Sequence, residues 1–301
     1  MIKDLLKIYS GYKYIRLETS LINCLLAFIL ITSHAFAGPY APGAGQPGTT
    51  AVSNSNPAIT AWASRVADYR PGANVDDPFN DPTNALGVAE GNSFDIVSLG
   101  AGGYIDLMFS NSIYNGPGWD LVIFENGFSD TFLELARVLV STNGTDFFEF
   151  PGISLTANPI GSFGTLDPTN LSESFNTGSE LIAAGFASKY RQGYGMAFDL
   201  EWFAFTDQDS NPNLNIDDIT YIRILDIIGD GSFTDLLGSP VYDPYPETCC
   251  GGGFDLDGIA TRYLATSSTP LQVQVPMPST FLLFLFALIA FIGIRKMQQI
   301  Y

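Results

Sequence analysis

The chain has 301 residues, with 13 Lys and Arg against 31 Asp and Glu, a formal net charge of −18. Residues 38–275 hold only seven cations (Arg65, Arg70, Arg137, Lys189, Arg191, Arg223 and Arg262), scattered singly among 29 acids. Nucleic acid is therefore excluded as a partner, because a polyanion must be met by clustered Lys and Arg. The one histidine, His34, lies in a segment expected to be removed. The mature chain then has no imidazole for a Ser-His-Asp or Cys-His nucleophile, for His-ligated zinc or for the two-histidine iron triad.

Residues 1–37 read as an export signal. Lys3, Lys7, Lys13 and Arg16 precede the apolar run Leu25 to Ile31, and Ala35-Phe36-Ala37 supplies small residues at the cleavage positions, so the mature chain is expected to begin at Gly38. The apolar stretch Leu21 to Ile31 has 11 residues and contains Asn23, far short of the ~20 that a spanning helix needs. Residues 38–56 carry no charge and are rich in Gly, Pro, Ala, Ser and Thr, which predicts a flexible segment leading into the domain.

One domain is expected over 57–264, since no internal break of comparable length and no repeat interrupts it. Its periodicity is that of strands. Tyr104 to Phe109 alternates, Leu121 to Phe124 is a short apolar run, Leu135 to Val140 carries valines in phase, and Ile219 to Ile228 and Phe254 to Arg262 supply two late strands. Asn115-Gly116-Pro117-Gly118, Asn126-Gly127, Asn143-Gly144 and Gly229-Asp230-Gly231 are turn signals, Asn143-Gly144 being the sharpest hairpin among them. Helical patterns are limited to Ala58 to Ala67 and Glu180 to Lys189. Many short strands with Gly and Asn turns predict an all-β fold, a single β-sandwich of jelly-roll type.

A charge-free spacer, 265–274, leads to the tail 275–301: Val275-Pro276-Met277-Pro278-Ser279, then an apolar helix expected over 279–294, then Arg295-Lys296. Sixteen residues at about 1.5 Å of rise reach ~24 Å, less than the ~30 Å of a bilayer core. The basic pair would stay cytoplasmic while the domain stands outside, in agreement with the N-terminal signal. The residues Val275 to Lys296 resemble the PEP-CTERM sorting signal of Gram-negative bacteria, with Met277 standing where that motif has Glu. The resemblance implies export, a precursor held in the inner membrane through the C-terminal helix, recognition by an exosortase-like processing enzyme, and release to the cell surface or extracellular matrix. A simple single-pass tail anchor is the alternative.

Seven ordered motifs carry a second resemblance: Asn84-Ala85-Leu86-Gly87, Val97-Ser98-Leu99-Gly100, Asn115 to Gly118, Phe124-Glu125-Asn126-Gly127-Phe128, Gly164 to Asn170, Lys189 to Gly195, and Gly253-Phe254-Asp255-Leu256-Asp257. Together they look like a family of bacterial exported surface proteins that often carry this sorting tail. That resemblance implies a galactose-binding-like β-sandwich and a location, not a reaction.

Acidic loops are the candidates for metal. Asp207, Asp209, Asn211, Asn213, Asn215 and Asp218 fall at positions 1, 3, 5, 7, 9 and 12 of a calcium-type loop, but Pro212 occupies position 6, where the sharp bend needs Gly. Such Asn and Asp clusters also form ordinary turns. The galactose-binding resemblance implies a structural Ca²⁺ where the first loop meets the last strand, here Asp76, Asp77 and Asp81 with Asp255 and Asp257, the last two sharing one face of a strand. The other reading is that these carboxylates serve solubility and turns.

The segment Tyr190-Arg191-Gln192-Gly193-Tyr194 sets two aromatics and a cation in a Gly-rich stretch, so Tyr190, Arg191 and Tyr194 are the expected ligand contacts, a carbohydrate suiting them best. Trp62, Trp119, Trp202, Tyr242 and Tyr245 are further aromatics, read more readily as core. Glu125 is expected to pair with Arg137 or Arg191, because a buried carboxylate without a cation is costly. Paired acids such as Glu125 and Asp226 would suit glycoside hydrolysis only at a set separation, which no spacing in the chain fixes. Adjacent Cys249 and Cys250 are the mature thiols, expected to oxidise outside the cell to a strained ring or to link chains. The expectation is an exported surface or matrix module, non-catalytic, that binds extracellular polysaccharide or builds structure in a biofilm. A carboxylate-based secreted hydrolase is the alternative.

Overall fold

A computed structural model of the protein describes residues 38–173, 185–206, 211–246 and 252–266. Internal contacts divide the chain into Met1–Ala265 and Thr266–Tyr301, and the fold described below belongs to the first unit.

The strands in chain order are β1 (Val52–Ser53), β2 (Ala61–Trp62), β3 (Arg65–Arg70), β4 (Val97–Ser98), β5 (Tyr104–Met108), β6 (Leu121–Glu125) and β7 (Ala136–Ser141). They continue as β8 (Phe148–Phe150), β9 (Tyr194–Phe198), β10 (Tyr221–Asp226), β11 (Asp230–Thr234), β12 (Pro240–Tyr242) and β13 (Asp255–Thr261). Among the described residues the helical pieces are one short α-helix, α1 (Glu201–Phe205), and two 3-10 turns, at Pro82–Ala85 and Pro168–Asn170. Each 3-10 turn starts from an aspartate, Asp81 or Asp167, whose carboxylate accepts from the backbone N–H two residues on, and Pro at the first position supplies the needed φ.

Among the described residues every ladder is antiparallel, and the fold is all-β. One sheet runs β1-β9-β6-β13-β2, with β4 also on β13; the other runs β3-β5-β10-β7-β8; β11 and β12 form a separate hairpin. The two large sheets enclose one apolar core. Leu121, Ile123, Met196, Phe198, Leu256 and Ile259 from the first meet Ile105, Leu107, Val138, Val140, Ile222 and Ile224 from the second. β10 shows the period-2 pattern plainly: Ile222, Ile224 and Asp226 are buried, while Tyr221, Arg223 and Leu225 face the other way. Opposite Arg223 stands Asp106 on β5, and their bidentate ion pair at 2.6 and 2.7 Å is roofed by the rings of Tyr104 and Phe147.

β6 is buried along its whole length because both its faces are covered. Leu121 and Ile123 enter the common core, whereas Val122 and Phe124 join Trp119, Ala197, Ala260 and Trp62 in a second cluster on the outer side. Trp119 is therefore buried in this outer cluster, and Trp62 packs on Phe124 at 5.2 Å. The Asn143-Gly144 signal does join β7 to β8. Gly144 takes φ +74°, and Asn143 Oδ1 accepts from the amides of Thr145 and Asp146.

Three expectations are corrected. The helical pattern at Ala58 to Ala67 is β2 and the start of β3, because Val66 and Tyr69 pair with Leu107 and Ile105 and pack on the core; the ladder outweighs local propensity. In the second helical pattern, residues 185–189 are not helical: Ala187 bridges Ala136 and Ser188 takes a φ of +67°; its earlier part lies outside the described residues. The segment 38–56 is docked: Ala44 and Val52 are buried, and β1 pairs with β9. Its low charge and small residues serve close backbone contact there.

Candidate functional site

With so few cations, most buried acids of this domain cannot be neutralised by pairing; Asp106 and Glu173, held by Arg223 and Lys189, are exceptions. Many instead accept backbone N–H bonds from loops, each acting as a fixed staple. Asp226, at the end of β10, takes Gly102 N at 2.7 Å and Phe254 N at 2.8 Å on its two oxygens. Asp257 takes Glu90 N and Gly91 N at 3.0 and 2.8 Å, Asp243 takes Leu135 N at 2.8 Å, and Asp120 takes Gly116 N and Leu200 N at 2.8 and 2.7 Å. Desolvation dominates all four carboxyls: Asp120 is pushed up to about 8, Asp226 to about 7 and Asp257 to about 6, and Asp243 stands well above its ordinary range.

Glu125 belongs to this set and has neither of its expected cations. Arg137 pairs with Glu149 across β7 and β8, and Arg191 pairs with Asp130 at 3.1 Å. The Glu125 carboxylate accepts instead from Ser188 Oγ at 2.9 Å, and burial followed by the nearby acids Asp255 and Asp257 pushes its pKa well up.

Above Glu125 three loops meet: 86–95, 126–132 and 188–193. Gln192 ties them, its N–H donating to Gly127 O at 2.9 Å and its Oε1 accepting from Ser93 Oγ at 3.3 Å. Gly91 and Gly193 lie so close, both at positive φ, that a Cβ on Gly91 would sit 3.0 Å from Gly193 Cα. The N–H of Asn54 and its Nδ2 bridge Gly193 O and Ala89 O at 3.1 and 2.9 Å. On this braced surface Phe94 is 80% exposed and Phe128 52%, and each adjoins a residue that Gln192 holds. Phe128 stacks on Phe132 at 6.0 Å, and the Arg191 guanidinium lies over the Tyr194 ring at 4.8 Å.

The predicted contact residues divide here. Arg191 sits in the loop cluster and Tyr194 follows it as the first residue of β9, half-buried against the core, but Tyr190 is a correction: only 1% exposed, it lies in the core with its hydroxyl 2.7 Å from Thr50 Oγ1. Phe94 and Phe128 escape sequence reading, although a Phe flanked by Ser and Asp or by Gly and Ser, outside any alternating pattern, was the available signal. The metal candidates are not brought together. Asp76, Asp77 and Asp81 are exposed, with Asp81 held by Thr83, whereas Asp257 is held by the 90–91 loop and Asp255 lies opposite Ser98 in the β13–β4 ladder. Asn211 and Asp218 are exposed, and Asn211 and Asn215 cap their own turns; Asp207 and Asp209 lie outside the described residues. Among the described residues no group of three or more His, Cys, Asp or Glu is close enough to share one ion.

Cys249, Cys250 and the tail Val275 to Ser279 also lie outside the described residues. Among the described residues no helix is long and apolar enough to cross a membrane. Comparison with models of known families finds no match to this chain, and comparison with curated proteins finds none either.

Proposed function

We propose that the protein is an exported, non-catalytic binding module of a Gram-negative cell surface or extracellular matrix, whose ligand is a neutral polysaccharide. The observation that carries this reading is the pair of exposed rings, Phe94 and Phe128, on loops braced through Gln192 beside Arg191. Exposed aromatic faces on a rigid platform suit the C–H faces of sugars, and the net charge of −18 disfavours an acidic polymer. The signal 1–37 and the PEP-CTERM-like tail support delivery by an exosortase-like system, and the two-sheet architecture is in keeping with a jelly-roll or galactose-binding-like sandwich.

The test is affinity electrophoresis through gels containing the extracellular polysaccharide of the host. Replacing both Phe94 and Phe128 by Ala should weaken binding by about 10- to 30-fold, at about 1 kcal/mol per stacked ring, with the melting temperature unchanged because neither ring fills the core. Undiminished retardation of the double variant would refute the platform.

A further inference from the structure

The first residues after the expected signal are bound to the domain in an unusually specific way. Gly38 N donates to Thr169 Oγ1 at 2.5 Å, and Thr169 Oγ1 in turn donates to Asp167 Oδ1 at 2.7 Å, so the hydroxyl relays the Gly38 donor to a carboxylate. A Cβ on residue 38 would lie 2.1 Å from Thr169 O and 2.4 Å from Asn170 Oδ1, so only Gly fits. Two residues on, Tyr40 N reaches Thr169 O at 3.1 Å, and Ala41 N meets both oxygens of Glu173 at 3.1 and 3.2 Å. The groups around this strap are acidic: Glu173 and Asp235 act on Tyr40, and Asp167 and Glu173 act on Lys189, the one cation beside it among the described residues.

We propose that this is a docking site for the terminal ammonium created by signal removal, so that cleavage between Ala37 and Gly38 locks the strap onto the domain. In the precursor the Gly38 nitrogen is an amide with one proton to donate. After cleavage it is a cation with three, set against Thr169 Oγ1, which is itself bonded to the Asp167 carboxylate. A charge-assisted hydrogen bond is roughly twice as strong as a neutral one. The inference rests on the export reading above, and goes beyond it by giving the new N-terminus a structural task.

Linkage fixes the pH signature. An ammonium held by acids has a folded pKa above its unfolded value of about 8, so its contribution is complete below pH 8 and is lost as pH rises through the folded value. The test uses the chain from Gly38 to Tyr301 in mild detergent, carrying an N-terminal tag removed by a protease that leaves Gly38 first. Tag removal should raise the melting temperature by about 2 to 4 °C at pH 7, with the gain gone by about pH 10. Thr169→Val should abolish the gain and Thr169→Ser should keep it. No change on tag removal, or a gain that persists at pH 10, overturns the lock. Intact mass of the chain recovered from its host is the second arm. A start at Gly38 supports the assignment. A start at any other residue overturns both the cleavage reading and the maturation role, whatever the tag experiment shows.

Discussion

Raising the pH from 5 to 8 should lower the melting temperature of the domain by about 10 °C or more. Burial pushes Asp257 and Asp199 up to about 6, Asp226 to about 7 and Asp120 to about 8. Each is an acid whose folded pKa exceeds its unfolded one, so the native state binds more protons than the unfolded chain between about pH 4 and pH 8, and stability falls with rising pH through that window. About two extra protons held over two pH units correspond to about 5 kcal/mol, and a domain of this size shifts by about 2 to 4 °C per kcal/mol. Lys189, lowered to about 8 chiefly by desolvation, loses its proton in the native state only toward the top of this range and offsets a small part of the fall there. Thermal melts at pH 5, 6, 7 and 8, with and without a chelator, decide the matter. A flat or rising profile would refute the staple account, and one that rises only without the chelator would mean that a bound cation neutralises these acids.

The second large effect is expected at Glu173. Lys189 Nζ is only 1% exposed, donates to Leu171 O at 2.5 Å and pairs with the Glu173 carboxylate, which also holds the Ala41 amide. Glu173→Ala would leave an ammonium in the interior without its counter-charge, and breaking such a pair from one side costs about 3 to 5 kcal/mol, or about 10 °C here. The double change Glu173→Leu with Lys189→Met removes both charges at similar volume and should recover most of the loss, since the desolvation penalty disappears with the pair. Urea unfolding of the wild type, Glu173→Leu, Lys189→Met and the double variant forms the cycle that checks this. A Glu173→Ala variant within about 1 kcal/mol of wild type would show that water reaches Lys189.

Both effects come from residues whose role depends on distant chain. Lys189 and Glu173 are 16 residues apart and their partner Ala41 is 132 from Glu173. Asp226 bonds Gly102, 124 residues away. No local pattern distinguishes these carboxylates from the solvated ones at Asp76 or Asp77. The same limit explains Glu125: the apolar run before it foretold burial, but which hydroxyl would meet it was set by the arrival of the 188–193 loop. Tyr190 follows the same rule: its Gly-rich neighbourhood suggests exposure, while its side chain reaches inward to Thr50.

The elements written in the chain's own periodicity are β5, β6, β7, β10 and β13, together with the turn at Asn143-Gly144, since alternation and short apolar runs act over a few residues and need no partner to be seen. The scarcity of cations and of imidazole is likewise plain in composition, and it already dictates that buried acids must find backbone donors. Sheet order, the covering of both faces of β6, the recruitment of 38–56 as β1 and a docked strap, and the bridging by Gln192 of the loops that carry Phe94 and Phe128 belong to the tertiary structure. These depend on contacts between segments 30 to 140 residues apart, as the Asn54–Ala89 and Thr50–Tyr190 bonds illustrate, and such contacts carry no local signature because their energy is gained only when the sheets close.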